Sequence, residues 1–213
     1  MNDLRTDAIN ASLVKTLSLS RLRKYLAVCG DDVSGALSSY ERNARLSEAF
    51  YTPLQCVEIC LRNTIHFRMS EVYGSDWMTN GGPPLAEASL RMIGDAIAEL
   101  QKGVDWPSND AIVSELKYAF WVGLLGTGYD DTIWRKTLFD GFAVGGRRKR
   151  TVVHGRFNAI RRFRNRIAHH EPIFQRDLPK LHAEIIEAIG WMCADTSAWT
   201  THVSRLLIVH AEV

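Results

Sequence analysis

Arg164, Asn165, Arg166, His169, His170 and Glu171 lie within one short run that ends at Pro172. Such a set can hold a phosphate and move protons. RNA is cut without a metal when its 2′-OH attacks the neighbouring phosphorus, which needs a base for the hydroxyl proton and an acid for the leaving oxygen. Histidine suits both tasks near neutral pH. His169 is the first candidate and His170 the second. Arg164 would grip the phosphate and stabilise its added charge, because guanidinium forks match phosphate oxygens and keep their proton. Asn165 would orient His169 or the scissile phosphate. DNA lacks the 2′-OH and is expected to survive.

The element that positions these groups is a helix from about Thr151 to His170, in which Val153, Phe157, Ile160 and Ile167 recur at helical steps. Arg164 falls on the side of Ile160 and Ile167, so it needs a charge partner. Asn165 and His169 share one face, as do Arg166 and His170. Pro172 stops the helix and pushes Glu171 out of helical geometry. Arg164 and His169 point about 140° apart on a regular helix. Either the helix end deforms or a second copy of the chain completes the site across a two-fold axis.

A second group is Glu58, Arg62, Asn63 and His66. Glu58, Arg62 and His66 form a stripe at steps of four, and Glu58 borders the buried face between Leu54 and Leu61, which makes it the expected partner of Arg164. The competing reading is a surface ladder of ion pairs, stabilising by only a few tenths of a kcal/mol. For His169 the competing reading is a helix-end histidine favoured by the dipole. A metal site is a further competitor, but adjacent helical histidines diverge by about 100° and no two-histidine zinc motif occurs. Phe120 and Trp121 can stack bases, although aromatics in so apolar a stretch more often build core.

The run Arg164-Asn165-Arg166-Ile167-Ala168-His169-His170-Glu171-Pro172 resembles the signature of the Abi-like (abortive infection) proteins of the HEPN superfamily. Arg21-Leu22 with Tyr25-Leu26, Leu54 through Glu58 to Leu61-Arg62-Asn63, Tyr73-Gly74 with Trp77, and Phe120-Trp121 resemble further blocks of that family in the same order. The resemblance covers most of the chain. Caps and periodicity point to an all-α bundle of about seven or eight helices, which the resemblance makes HEPN-like, and the resemblance implies a metal-independent endoribonuclease acting in phage defence or as a toxin. It also implies a homodimer with the Arg164 to His170 helices facing each other, and it leaves open an unidentified antitoxin or activator. Some HEPN toxins carry a modifiable Tyr two residues after the motif histidine; here that position is Glu171, which gives no support to that control. The alternatives are a non-catalytic RNA- or nucleotide-binding module, and an interaction protein whose polar helix end specifies a dimer.

The 213 residues carry a net charge of +2, with 46% hydrophobic and 23% charged residues, ordinary for a globular protein. Charge is unevenly spread: Arg147, Arg148, Lys149, Arg150, Arg156, Arg161, Arg162, Arg164 and Arg166 lie in a segment from Gly141 to His170 that lacks Asp and Glu. The first seven are candidate RNA contacts; the bland alternative is a solvated charge run. The cysteines Cys29, Cys56, Cys60 and Cys193 lack zinc-site spacing and are expected to be reduced core residues. No cofactor and no membrane span are expected, and the protein is expected in the cytoplasm. One domain over 1–213 is the simplest division, with 1–17 loosely ordered.

The remaining helices are read from caps and periodicity. Ser20 opens a helix to about Val28, Asp32 one to about Ala49, and the capping box Thr52/Gln55 with Pro53 one to about Val72. Residues 75–84 are a loop. Further helices are expected over about 85–102, 110–125, 131–139, 177–193 and 196–209, with 141–150 a loop. No stretch alternates as a strand does.

Overall fold

A computed structural model describes residues 5–103 and 105–212. It is helical throughout, with no strand among the described residues. The chain begins with α1 (Asp7–Leu17), capped by Thr6, whose hydroxyl accepts from the Ile9 amide at 3.3 Å. The expected loose segment 1–17 is thus helical from Asp7 onward, and residues 1–4 lie outside the described ones. Leu13, Val14 and Leu17 pack on a small cluster around Leu22, Tyr25, Ala36 and Leu37, and this packing holds α1. Ser18, not Ser20, opens α2 (Leu19–Leu26), accepting from the Arg21 amide. Asp32 caps α3 (Val33–Ala49) as expected, accepting from Ser34 and Gly35 at 3.0 Å each.

The capping box at Thr52 does not form. α4 (Tyr51–Tyr73) starts two residues earlier, and Phe50 occupies the cap position without a side-chain bond. The Phe50 ring is fully buried edge-on against Phe163, 4.8 Å between centroids, and this burial sets the junction with α3. Pro53 remains harmless there, because the first turn has no amide partners to lose. α4 buries Leu54, Val57, Leu61, Ile65 and Met69, spaced to face the main core.

α5 (Glu87–Leu100) follows the loop. The single helix expected over 110–125 is two, α6 (Asn109–Glu115) and α7 (Tyr118–Gly123). The break has a physical cause: Trp121 is fully buried, and its indole N–H needs an acceptor, which the extended Leu116 supplies through its carbonyl at 3.3 Å. The segment 131–139 is helical but widened to π geometry over Asp130–Leu138, flanked by 3₁₀ turns Thr127–Tyr129 and Phe139–Phe142.

α8 (Arg150–Ala168) buries Val153, Phe157, Ile160 and Phe163. α9 (Leu178–Gly190) is capped by Asp177, and Pro179 sits in its first turn. The last expected helix is again two, α10 (Ala194–Val203) and α11 (Leu206–Glu212). Ser204 leaves helical geometry between them, and its hydroxyl meets the His182 Nε2 at 2.8 Å. The helices therefore outnumber the expected seven or eight, because buried polar partners cut two of them and packing orders α1.

Two features of this architecture position the end of α8. The main core runs from α4 through α7 and α8 to α9 and includes Ile173, just past the helix. The cluster of α2 and α3 takes up Phe174, whose ring stacks on Tyr25 with centroids 5.3 Å apart. The chain leaving α8 is thus pinned between both packing units.

Candidate active site at the end of α8

α8 ends two residues sooner than expected. His169 is its last cap, and His170 takes φ +55°, a left-handed conformation that normally selects glycine. The His170 amide donates to the Ile167 carbonyl and the Glu171 amide to the Arg166 carbonyl, each at 2.9 Å, the paired pattern of a Schellman turn. A guanidinium from α2 reinforces it: Arg21 Nη1 donates to the carbonyls of His169 at 3.3 Å and His170 at 3.2 Å. Arg166 reaches Glu171 at 3.3 Å across the turn. The next residue but one is fixed too, since the buried Asn43 side chain accepts from the Ile173 amide at 2.7 Å.

A cavity of about 680 Å³ opens between α3, α4, the α6–α7 bend and the end of α8. Glu58, Arg62, Arg164, Ile167, Ala168 and His170 line it. Arg164 Nε lies 3.5 Å from Glu58 Oε2, so the charge partner is the one that the helix periodicity suggests. Arg164 is less buried than its place in the apolar pattern implies, at 43% side-chain exposure against 30% for Glu58. The other half of its guanidinium has no partner among the described residues. Beneath this pair Tyr118 is buried with its hydroxyl unbonded among the described residues. Burial pushes its phenol far above the ordinary value, the Glu58 charge adds to this, and Arg164 and Arg161 oppose it.

The structure separates what the sequence groups together. His170 lines the cavity with Arg164, whereas Asn165 and His169 do not. Both histidines are exposed. The stripe of Glu58, Arg62 and His66 does not act as a ladder. Glu58 pairs with Arg164, Arg62 Nε donates to Asn63 Oδ1 at 3.0 Å, and His66 Nδ1 accepts from the Trp77 indole at 3.1 Å. Burial holds the His66 imidazole below its ordinary value, with Asp110 opposing and Arg62 reinforcing.

The basic segment is also divided. Arg148 donates to the Phe142 and Val144 carbonyls at 3.0 and 2.9 Å and lies over Trp191. Arg150 bonds Asp130 Oδ1 at 3.1 Å and the Leu125 carbonyl at 2.9 Å. Arg156 bonds the Glu184 carbonyl and the Glu187 carboxylate. These three tie elements of the fold together. Arg147 is 3.8 Å from Asp140, and Arg161 bonds Asn158 in its own helix. Lys149 and Arg162 are exposed and carry no side-chain partner among the described residues, which leaves their charge to solvent or a ligand.

Among the described residues no group of three or more His, Cys, Asp or Glu is placed to hold a metal ion, and no helix is long and apolar enough to cross a membrane. The four cysteines are free and half-buried.

No family model, curated protein or solved structure matches the chain. The site therefore rests on its own geometry. Sequence reasoning assigned no task to Arg21, Asn43 or Tyr118. Arg21 and Asn43 act on backbone more than a hundred positions away, and only Tyr118, next to the aromatic pair Phe120 and Trp121, offered a local signal.

Proposed function

We propose that the protein is a metal-independent endoribonuclease of HEPN type, acting in phage defence or as a toxin. The observation that carries this reading is the presence of Arg164 and His170 in the lining of one cavity, with His170 held in a left-handed turn by Arg21. A left-handed turn and a guanidinium with free outer nitrogens in the lining of one cavity support a catalytic reading. Arg164 holds the scissile phosphate. An imidazole takes the proton from the 2′-OH as its oxygen bonds to phosphorus, the P–O5′ bond breaks, and a protonated imidazole returns a proton to the leaving oxygen. His170 supplies one of these within the chain. His169 and Asn165 do not line that cavity, so a second copy bringing them to the same phosphate completes the site, and the active form is a homodimer.

A second reading has one observation in its favour: Glu58 already neutralises part of Arg164, as in a structural polar network. Purified protein is incubated with labelled single-stranded RNA in EDTA, beside Arg164→Ala, His169→Ala and His170→Ala. The expected result is cleavage leaving 2′,3′-cyclic phosphate ends, reduced ~10²- to 10⁴-fold by loss of a histidine, with DNA untouched. Cleavage retained by all three variants points to a contaminant. No cleavage, with RNA binding that weakens as salt rises, supports a binding module instead.

A further inference from the structure

We infer that the cavity beside Arg164 receives a single unstacked nucleobase of the RNA, with the adjoining phosphate on Arg62 and Arg164. This rests on the ribonuclease reading and adds what the cavity itself holds.

The volume, about 680 Å³, is in the range of pockets that enclose small organic ligands and far exceeds the needs of a bare phosphate. Its walls are divided by chemistry. Leu54, Leu116, Trp121 and Ile167 give a carbon-lined floor, which disfavours an ion and suits a flat, weakly polar ring. Tyr51, which lines the cavity, is 69% exposed and its ring stacks on no other aromatic side chain among the described residues, which leaves it available to a base. The side chains of Ser47, Gln55 and Ser114 line the same space without a hydrogen bond among the described residues. They offer both donors and acceptors to the edge of a base.

The charged end completes the complementarity. Arg62 uses only Nε, on Asn63, and Arg164 only Nε, on Glu58, so the outer nitrogens of both forks remain for phosphate oxygens. Arg161 and Arg164 are three apart on α8, with Ala168 four further along. Two arginines therefore share the side of the helix that reaches the cavity, and Arg164 and Ala168 line it. A ligand with a flat ring at one end and an anion at the other fits this division, and a nucleotide within a single strand is such a ligand.

The test uses uncleavable 2′-fluoro tetranucleotides in two forms, one abasic at every position and one carrying a single base, with binding followed by fluorescence anisotropy. For the wild type the added base is expected to tighten binding by about 5- to 150-fold, the range of base–aromatic stacking. In Tyr51→Ala, which loses the platform, and in Ala44→Trp, which fills the cavity from α3, the gain should shrink below about twofold. Equal binding of both probes by the wild type, or a gain kept by both variants, overturns the inference. If Tyr51→Ala instead splits a dimer into monomers while both probes bind alike, the cavity houses a second copy and the inference also falls. Mixed-sequence RNA run in parallel separates the two levels. RNA that is bound and cut without any gain from the base refutes the pocket alone, whereas RNA neither bound nor cut refutes the ribonuclease reading with it.

Discussion

Replacing His170 by glycine should stabilise the protein while removing its proposed chemistry. His170 is exposed and sits at φ +55°. For a residue with a Cβ, that conformation costs about 1–2 kcal/mol, which glycine avoids. Glycine also loosens the unfolded chain by about 0.5–1 kcal/mol, so the net gain is on the order of 0.5–1 kcal/mol. For a chain of this size that raises the melting temperature by about 1–4 °C. The two backbone bonds of the turn, from His170 to Ile167 and from Glu171 to Arg166, do not depend on the side chain and should persist. His170→Ala is the control: it removes the same imidazole but keeps the strain, so it should not stabilise. Melting is followed by circular dichroism and RNA cleavage is measured on the same samples. Both variants should lose activity by ~10²-fold or more, and only the glycine variant should gain stability. Equal melting temperatures for the two would show that the left-handed turn is not strained. A glycine variant with full activity would show that His170 does no chemistry.

Arg150→Ala should lower stability by about 1–3 kcal/mol in urea unfolding, because it leaves the Leu125 carbonyl without its donor beside a side chain only 10% exposed, while Asp130 keeps Arg135; a loss under about 0.5 kcal/mol would contradict the staple role assigned to it. Arg162→Ala should leave stability within about 0.5 kcal/mol and reduce the salt slope of RNA binding by about one phosphate contact; an unchanged slope would remove Arg162 from the RNA path. Glu58→Gln should cost at most about 1 kcal/mol, since both partners are partly exposed, and should tighten RNA binding by freeing Arg164; weaker binding would mean that the pair serves to orient Arg164. The His66 pKa is lowered in the fold, so the unfolded chain takes up that proton first: the stability it contributes is full above about pH 6.5 and declines as pH falls further. His66→Gln should therefore flatten the loss of stability between pH 7.5 and 5.5 in urea titrations, and an equal loss in both proteins would refute this.

What the sequence makes legible follows from how far each interaction reaches along the chain. Asp32 and Asp177 cap helices through amides two or three residues away, and these starts are readable. Thr52 and Gln55 offer the same local pattern, yet burial of Phe50 outweighs it and moves the start of α4. The breaks at Leu116 and Ser204 serve a buried indole and a buried imidazole, which no helical period reveals. Glu58 and Arg164 are far apart in sequence, but each is bracketed by core residues at helical spacing, so their pairing can be inferred from the two faces. The choice between His169 and His170 cannot. Helical spacing favours His169 through its partner Asn165, whereas His170, in a left-handed turn whose carbonyl Arg21 of α2 holds, is the one that lines the cavity with Arg164. A motif therefore names the chemical groups, but which of two adjacent histidines shares a cavity with Arg164 depends on a backbone turn held by a residue that the motif does not contain.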